Sequence, residues 1–119
     1  MKKIVIVDDN KMIIQVLKFL FQKEGFEVHE AFNGNEGIEK IDEIKPDMVI
    51  TDVLMPYKSG FEIAFYTKMH YPDLPVIILS NLGKEDQTII DAFKLGAVDI
   101  IAKPFNPVEL VLRVKRFMK

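Results

Sequence analysis

Five short apolar runs, rich in β-branched residues and mostly ended by a polar group, most constrain what this chain can fold into. The first, Lys3 to Val7, stops at Asp8-Asp9, and the third, Asp47 to Asp52, ends on an aspartate. The fourth, Pro75 to Ser80, ends on a serine, and the fifth, Ala97 to Ala102, runs into Lys103-Pro104. Runs of this kind fit strands buried on both faces, as in a parallel sheet. The second, Phe26 to Phe32, is the most polar of the five.

Helical periodicity fills the intervals. From Asn10 as N-cap, Ile13, Val16, Leu17, Leu20 and Phe21 form a stripe that closes at Gly25, with Met12, Ile14 and Phe19 as apolar surplus outside it. Asn33-Gly34 reads as a turn, followed by a helix over Glu36 to Ile44 with Ile38, Ile41 and Ile44 on one face, ended by Pro46. Ser59 and Glu62 have the spacing of a capping box, predicting a helix to about Met69 before Tyr71-Pro72. A loop through Gly83 leads to a helix carrying Ile89, Ile90, Phe93 and Leu95 up to Gly96. Asn106-Pro107-Val108-Glu109 opens a last helix running nearly to Lys119.

Strands alternating strictly with helices imply right-handed crossovers, and so an α/β sandwich of three layers with a parallel sheet in the middle. At 119 residues, with 49% hydrophobic and 29% charged, the expectation is one domain over 1–119 that folds unaided. A net charge of −2 gives no basic field for a phosphate backbone, so no direct nucleic-acid contact is expected. The absence of cysteine removes disulfides and thiolate chemistry. The first apolar run is too short for a signal peptide, and no run is long enough to cross a membrane, so a cytoplasmic location is expected.

In a doubly wound sheet ligands sit beyond the carboxyl ends of the strands. Those ends here carry Asp8, Asp9, Asp52, Ser80 and Lys103. Singly, each has an ordinary role: paired acids cap helices, a serine bonds locally, and Lys-Pro makes a loop. Together they form a coherent set. Clustered carboxylates repel unless a cation intervenes, and oxygen ligands without histidine or cysteine favour a hard ion such as Mg²⁺, with Mn²⁺ as the alternative. An ammonium and a hydroxyl add charge neutralisation and a donor for a transferred phosphoryl group.

Val7-Asp8-Asp9-Asn10, Asp52-Val53-Leu54-Met55-Pro56 with Gly60-Phe61, Ser80, Gly96-Ala97 and Lys103-Pro104-Phe105 resemble, over the whole chain, the receiver domain of bacterial and archaeal two-component response regulators. The resemblance implies a flavodoxin-like fold with strand order 2-1-3-4-5. It implies that Asp52 accepts a phosphoryl group from a sensor histidine kinase or phosphotransfer protein. It further implies that Asp8, Asp9, Asp52 and the Leu54 carbonyl hold Mg²⁺, while Ser80 and Lys103 engage the phosphoryl oxygens. Such a protein is a switch rather than an enzyme, catalysing only its own phosphorylation and dephosphorylation.

The sequence departs from the family at Ile100, where a switch aromatic is usual, and at Asn81, where a small residue is commoner. Ile100 reads as a strand residue packing under the fourth helix. The region from Phe93 to Val114 is similar to receivers of winged-helix regulators, in which charges matching Lys94, Asp99 and Arg113 pair across a homodimer of the fourth helix, fifth strand and fifth helix. A scattered, solvated set of charges is the alternative. Three other readings stand beside the switch: a Mg²⁺-dependent phosphohydrolase, a flavin domain, and a degenerate receiver used for docking. The first lacks its usual second acid at Leu54, and Asp8-Asp9 would repel the phosphate of the second. His29 and His70 read as surface residues, and Phe61, Phe65, Tyr66 and Met69 as core and rim.

Overall fold

The computed structural model describes residues 1–81 and 86–118. Strands β1 (Lys3–Val7), β2 (Glu27–Ala31), β3 (Met48–Asp52), β4 (Val76–Ser80) and β5 (Asp99–Ala102) alternate with helices α1 (Lys11–Lys23), α2 (Gly34–Ile44), α3 (Gly60–His70), α4 (Asp86–Lys94) and α5 (Pro107–Phe117). The strands form one parallel sheet in the order β2-β1-β3-β4-β5, so the predicted flavodoxin-like architecture holds.

Strand alternation divides the core into two layers. Ile4, Ile6, Ile50, Ile77 and Leu79 face α1 and α5, meeting Ile14, Leu17, Phe21, Leu110 and Val114. Val5, Val7, Val49, Val76 and Ile78 face α2, α3 and α4, meeting Ile41, Ile63, Ala64 and Ala92. The order of the strands reverses between β1 and β3, and that seam is where the crossovers part to leave a crevice at the strand ends.

Three local expectations are corrected. The sheet-facing stripe of α1 is Ile14, Leu17 and Phe21, with Ile13 and Leu20 at its border, while Val16 lies exposed beside Met12 and Phe19. A helix apolar around most of its circumference has no unique phase, and packing chooses one. Asn33-Gly34 is a helix start rather than a free turn. The Asn33 side chain accepts from the Glu36 amide at 2.9 Å and Glu36 reaches back to it. Gly34 then abuts the loop after β3 so closely that a Cβ would stand 2.0 Å from the Lys58 carbonyl oxygen. In α4 the inward residues are Thr88 and Ala92, and Ile90 and Phe93 are about half exposed. The predicted loop through Gly83, and Lys119, lie outside the described residues.

Candidate metal and phosphoryl site

The carboxyl end of β1 is extended by one bond, from the Asp8 amide to the Ala31 carbonyl at 3.1 Å, which carries the Asp8 side chain into the crevice at only 2% exposure. Asp8 Oδ1 accepts from the Asn10 amide at 2.9 Å. Asn10 in turn caps α1, its Oδ1 accepting from the Met12 and Ile13 amides at 2.9 and 3.3 Å. The turn that presents the two acids is thus fastened to the start of α1. Asp9 faces solvent, and Asp52 stands half-buried at the end of β3. One carboxylate oxygen from each of Asp8, Asp9 and Asp52 lies within 4.8 Å of the others.

Lys103 answers this charge. Its Nζ lies 3.0 Å from Asp8 Oδ2 and 3.2 Å from Asp52 Oδ1, bridging β1 and β3 from the far side of β4. The Lys103 amide donates to the Ser80 carbonyl at 3.0 Å, and Ser80 pairs in register with Ala102, so the last bond of the β4–β5 ladder places the ammonium. Ser80 is buried, one residue beyond Leu79, the register partner of Asp52. The Leu54 side chain points largely into solvent, and Asn81 is exposed beside Ser80.

Burial, and then the Asp8 charge, push the Asp52 carboxyl above its ordinary value, although Lys103 and the Val53 amide pull the other way. Burial by itself would lower the Lys103 ammonium, but the hydrogen bond to Asp8 and the charges of Asp8 and Asp52 outweigh it, leaving it raised. Three carboxylates thus share the one Lys103 ammonium. This excess negative charge, among ligands that are all oxygen, fits a hard divalent cation.

Behind Asp52 the backbone is close-packed. A Cβ on Gly60 would stand 2.1 Å from the Asp52 carbonyl oxygen, and the Gly60 amide donates to the Val53 carbonyl at 2.9 Å. The start of α3 thus lies directly against the end of β3, held by Ser59 and Glu62 in the predicted capping box. The Thr51 hydroxyl also donates to the Asp52 carbonyl, at 2.9 Å. Sequence reasoning gave Gly60 no role beyond its motif and passed over Thr51. Neither carries a chemical signal of its own, since threonine is an ordinary strand residue and glycine an ordinary helix start.

Of the residues read as interface candidates, Asp99 and Arg113 meet within the chain. Arg113 Nη1 lies 3.0 Å from both Asp99 carboxylate oxygens, and Nη2 lies 3.0 Å from Glu109 Oε1. Lys94 is exposed at the end of α4. Ile100 is partly buried against the layer containing α4, as its reading as a packing residue requires. His29 pairs with Glu27 on the β2 edge, and His70 stacks on Tyr66, both away from the acidic cluster. Phe61, Phe65, Tyr66 and Met69 line an apolar groove with Ile38 on the outer side of α3. Among the described residues no helix is long and apolar enough to cross a membrane.

The family model described as the response regulator receiver domain matches residues 4–115. The receiver domain of the Francisella response regulator 1452 is similar with a TM-score of 0.92 at 32% identity, over 98% of this chain and 96% of that one. The chemotaxis response regulator CheY4 of Vibrio cholerae gives a TM-score of 0.92 at 31% identity over 99% of each chain. A BeF3-activated DrrB receiver domain gives 0.90 at 37% identity, over 98% of this chain and 97% of that one. With the strand order, the acid cluster and its lysine all in place, this chain belongs to the response regulator receiver domain family.

Proposed function

We propose that this receiver is a phosphorylation-activated switch in which Asp52 takes a phosphoryl group from a sensor histidine kinase or a phosphotransfer protein. The observation that carries the reading is the bridging of Asp8 and Asp52 by Lys103 beside the exposed Asp9, at the edge where a doubly wound sheet binds ligands. The Asp8, Asp9 and Asp52 carboxylates, with the Leu54 backbone carbonyl, would hold Mg²⁺, Mn²⁺ being the alternative. When bound, the ion supplies charge neutralisation and a template for the phosphoryl oxygens.

The Asp52 carboxylate attacks phosphorus. A carboxylate lone pair forms the new O–P bond as the bond from phosphorus to the donor's imidazole nitrogen breaks, its electron pair leaving with the imidazole. Lys103 moves its hydrogen bonds from the carboxylates to the phosphoryl oxygens, and the Ser80 hydroxyl donates to them. The new group adds about −1.5 to −2 charge at the strand ends. The response reaches the α4, β5 and α5 face without an aromatic at Ile100. On that face a phosphorylation-dependent homodimer would use Lys94, Asp99 and Arg113, exchanging the Asp99–Arg113 pair now made within the chain. Asn81, exposed beside the site, adjusts access to the acyl phosphate. The chain acts as one unit over 1–119, in the cytoplasm, without touching nucleic acid itself. It catalyses only its own phosphorylation and dephosphorylation; the phosphohydrolase reading fails at Leu54, which has no acid to protonate a leaving group.

The test is incubation with Mg²⁺ and acetyl phosphate, or beryllofluoride as mimic, followed by intact mass and amide spectra. A Mg²⁺-dependent adduct on Asp52, with shifts at Ser80, Ile100 and Lys103, is expected; no adduct and no shifts would leave a docking module instead.

Two variants probe the charge arrangement. Asp9→Ala removes the accessible carboxylate, and calorimetric titration should show Mg²⁺ affinity reduced at least about tenfold; equal affinity would remove Asp9 from the metal site. Lys103→Ala leaves the buried Asp8 and the half-buried Asp52 without a counter-charge and should destabilise the metal-free chain by roughly 3 kcal/mol. Saturating Mg²⁺ should return much of that loss, because a ligand bound only by the folded state stabilises it. Urea melts with and without the ion decide the matter, and a loss that Mg²⁺ leaves untouched would contradict the ammonium's neutralising role.

A further inference from the structure

We propose that Thr51 is a positioning residue for the phosphoacceptor, its hydroxyl fixing the Asp52–Val53 peptide plane and, through that plane, the rotation of the Asp52 carboxylate. The inference rests on Asp52 as the acceptor and adds the means by which the carboxylate is aimed.

Thr51 is fully buried, with Val7 and Ile78 as its register neighbours on either side. Valine would fill that place with the same branched shape, and a hydroxyl in apolar surroundings is unfavourable unless it is bonded. Here it is bonded to one particular atom, the Asp52 carbonyl oxygen, at 2.9 Å. The same peptide unit carries the Val53 amide, which donates to Asp52 Oδ1 at 2.9 Å. Carbonyl and amide lie in one rigid plane, so holding the oxygen also aims the hydrogen.

The carboxylate needs such a guide because the terminal torsion of an aspartate is broad and roughly two-fold, with no sharp minimum of its own. Oδ1 is held by the Val53 amide and by Lys103 at 3.2 Å. Both of these contacts fall on Oδ1, which leaves Oδ2 to attack. Its lone pair forms the bond to phosphorus as the phosphorus–donor bond breaks and the electron pair departs with the donor. Such a step requires the reacting atoms to approach at about 3–3.5 Å with aligned orbitals, so a few degrees of carboxylate rotation reach the rate. Lys103 cannot supply the alignment alone, because it must let go of Oδ1 to meet the incoming oxygens. The Thr51-to-Val53 relay involves no atom that moves in the reaction.

The test compares wild type, Thr51→Val and Thr51→Ser, each first confirmed as folded by its amide spectrum. Three quantities are read: Mg²⁺ affinity, the rate constant for modification by acetyl phosphate at saturating Mg²⁺, and the Val53 amide proton shift. At saturating Mg²⁺, which removes any change in metal affinity from the rate, Thr51→Val should slow modification about tenfold, the scale of a lost orientation, with the Val53 proton moved upfield. Thr51→Ser should recover both the rate and the shift. Modification of Thr51→Val at the wild-type rate would overturn the role of Thr51 while leaving Asp52 as acceptor, as would equal slowing in the serine variant, which points to packing. A wild-type chain that takes no phosphoryl group overturns the acceptor reading and this role together.

Discussion

Asp52→Asn should make the metal-free chain more stable at neutral pH while abolishing its modification by acetyl phosphate. The two effects have one cause. The Asp52 carboxyl is raised above its ordinary value, by burial first and by Asp8 second, so its ionised form is held at a cost in the folded state. Asparagine keeps an oxygen for the Val53 amide and drops the charge. The gain comes from relieving burial of the charge first and the Asp8 repulsion second, screened by solvent and less the lost contact with Lys103, and is on the order of 1 kcal/mol. For a domain of this size that is roughly 4 °C in Tm.

The pH dependence has a fixed sign. A carboxyl whose folded pKa exceeds its unfolded one destabilises the fold above the folded pKa and has no effect below the unfolded value near 3.8. The advantage of Asp52→Asn should therefore be full at neutral pH and shrink as pH falls through the carboxylate range. Adding Mg²⁺ should shrink it too, by stabilising the wild type more. Thermal melts across pH and Mg²⁺ read both trends, and a variant less stable than wild type at neutral pH without metal would refute the excess of negative charge.

Gly60→Ala is expected to be the most damaging small substitution in the neighbourhood of the site. The added Cβ would meet the Asp52 carbonyl oxygen at 2.1 Å and its carbon at 2.9 Å, atoms of a central strand that cannot swing aside as a side-chain tip could. Over-packing of this kind costs about 3 kcal/mol or more. The strand end must shift if α3 does not, so Mg²⁺ affinity should fall along with stability. Ser59→Ala is the control: it removes the N-cap of the same helix with no steric demand, at about 1 kcal/mol. Urea denaturation and metal titration of both variants check the comparison, and a Gly60→Ala loss no larger than that of Ser59→Ala would show that the contact yields.

Asp8, Asp9, Asp52, Ser80 and Lys103 were legible in the sequence because each directly follows, or ends, an apolar run, and the parallel alternation forces all run ends to one edge. The phase of α1 was not legible: Ile14 and Val16 are equally apolar, and only the fit to the sheet separates the buried one from the exposed one. The α4 stripe failed for a related reason, since Thr88 and Ala92 pack inward while larger neighbours face out. The charges of Asp99 and Arg113 were visible as types. Their pairing within one chain depends on which side of α5 looks back at β5, which no local pattern encodes. Gly60 and Thr51 act through the Asp52 carbonyl, an atom that every residue possesses and that sequence therefore cannot single out.

The bond from Lys103 to Asp8 closes a separation of 95 residues. Contacts between distant segments form late in folding, because the entropy of closing the intervening chain is lost before the contact rewards it. The ammonium arrives only when β5 has docked on β4, and β4 must already lie on β3. A nascent or partly assembled chain thus exposes its acids without their counter-charge. The acid cluster gains its lysine only in the finished sheet, so the charge balance at the strand ends is itself a report of complete assembly.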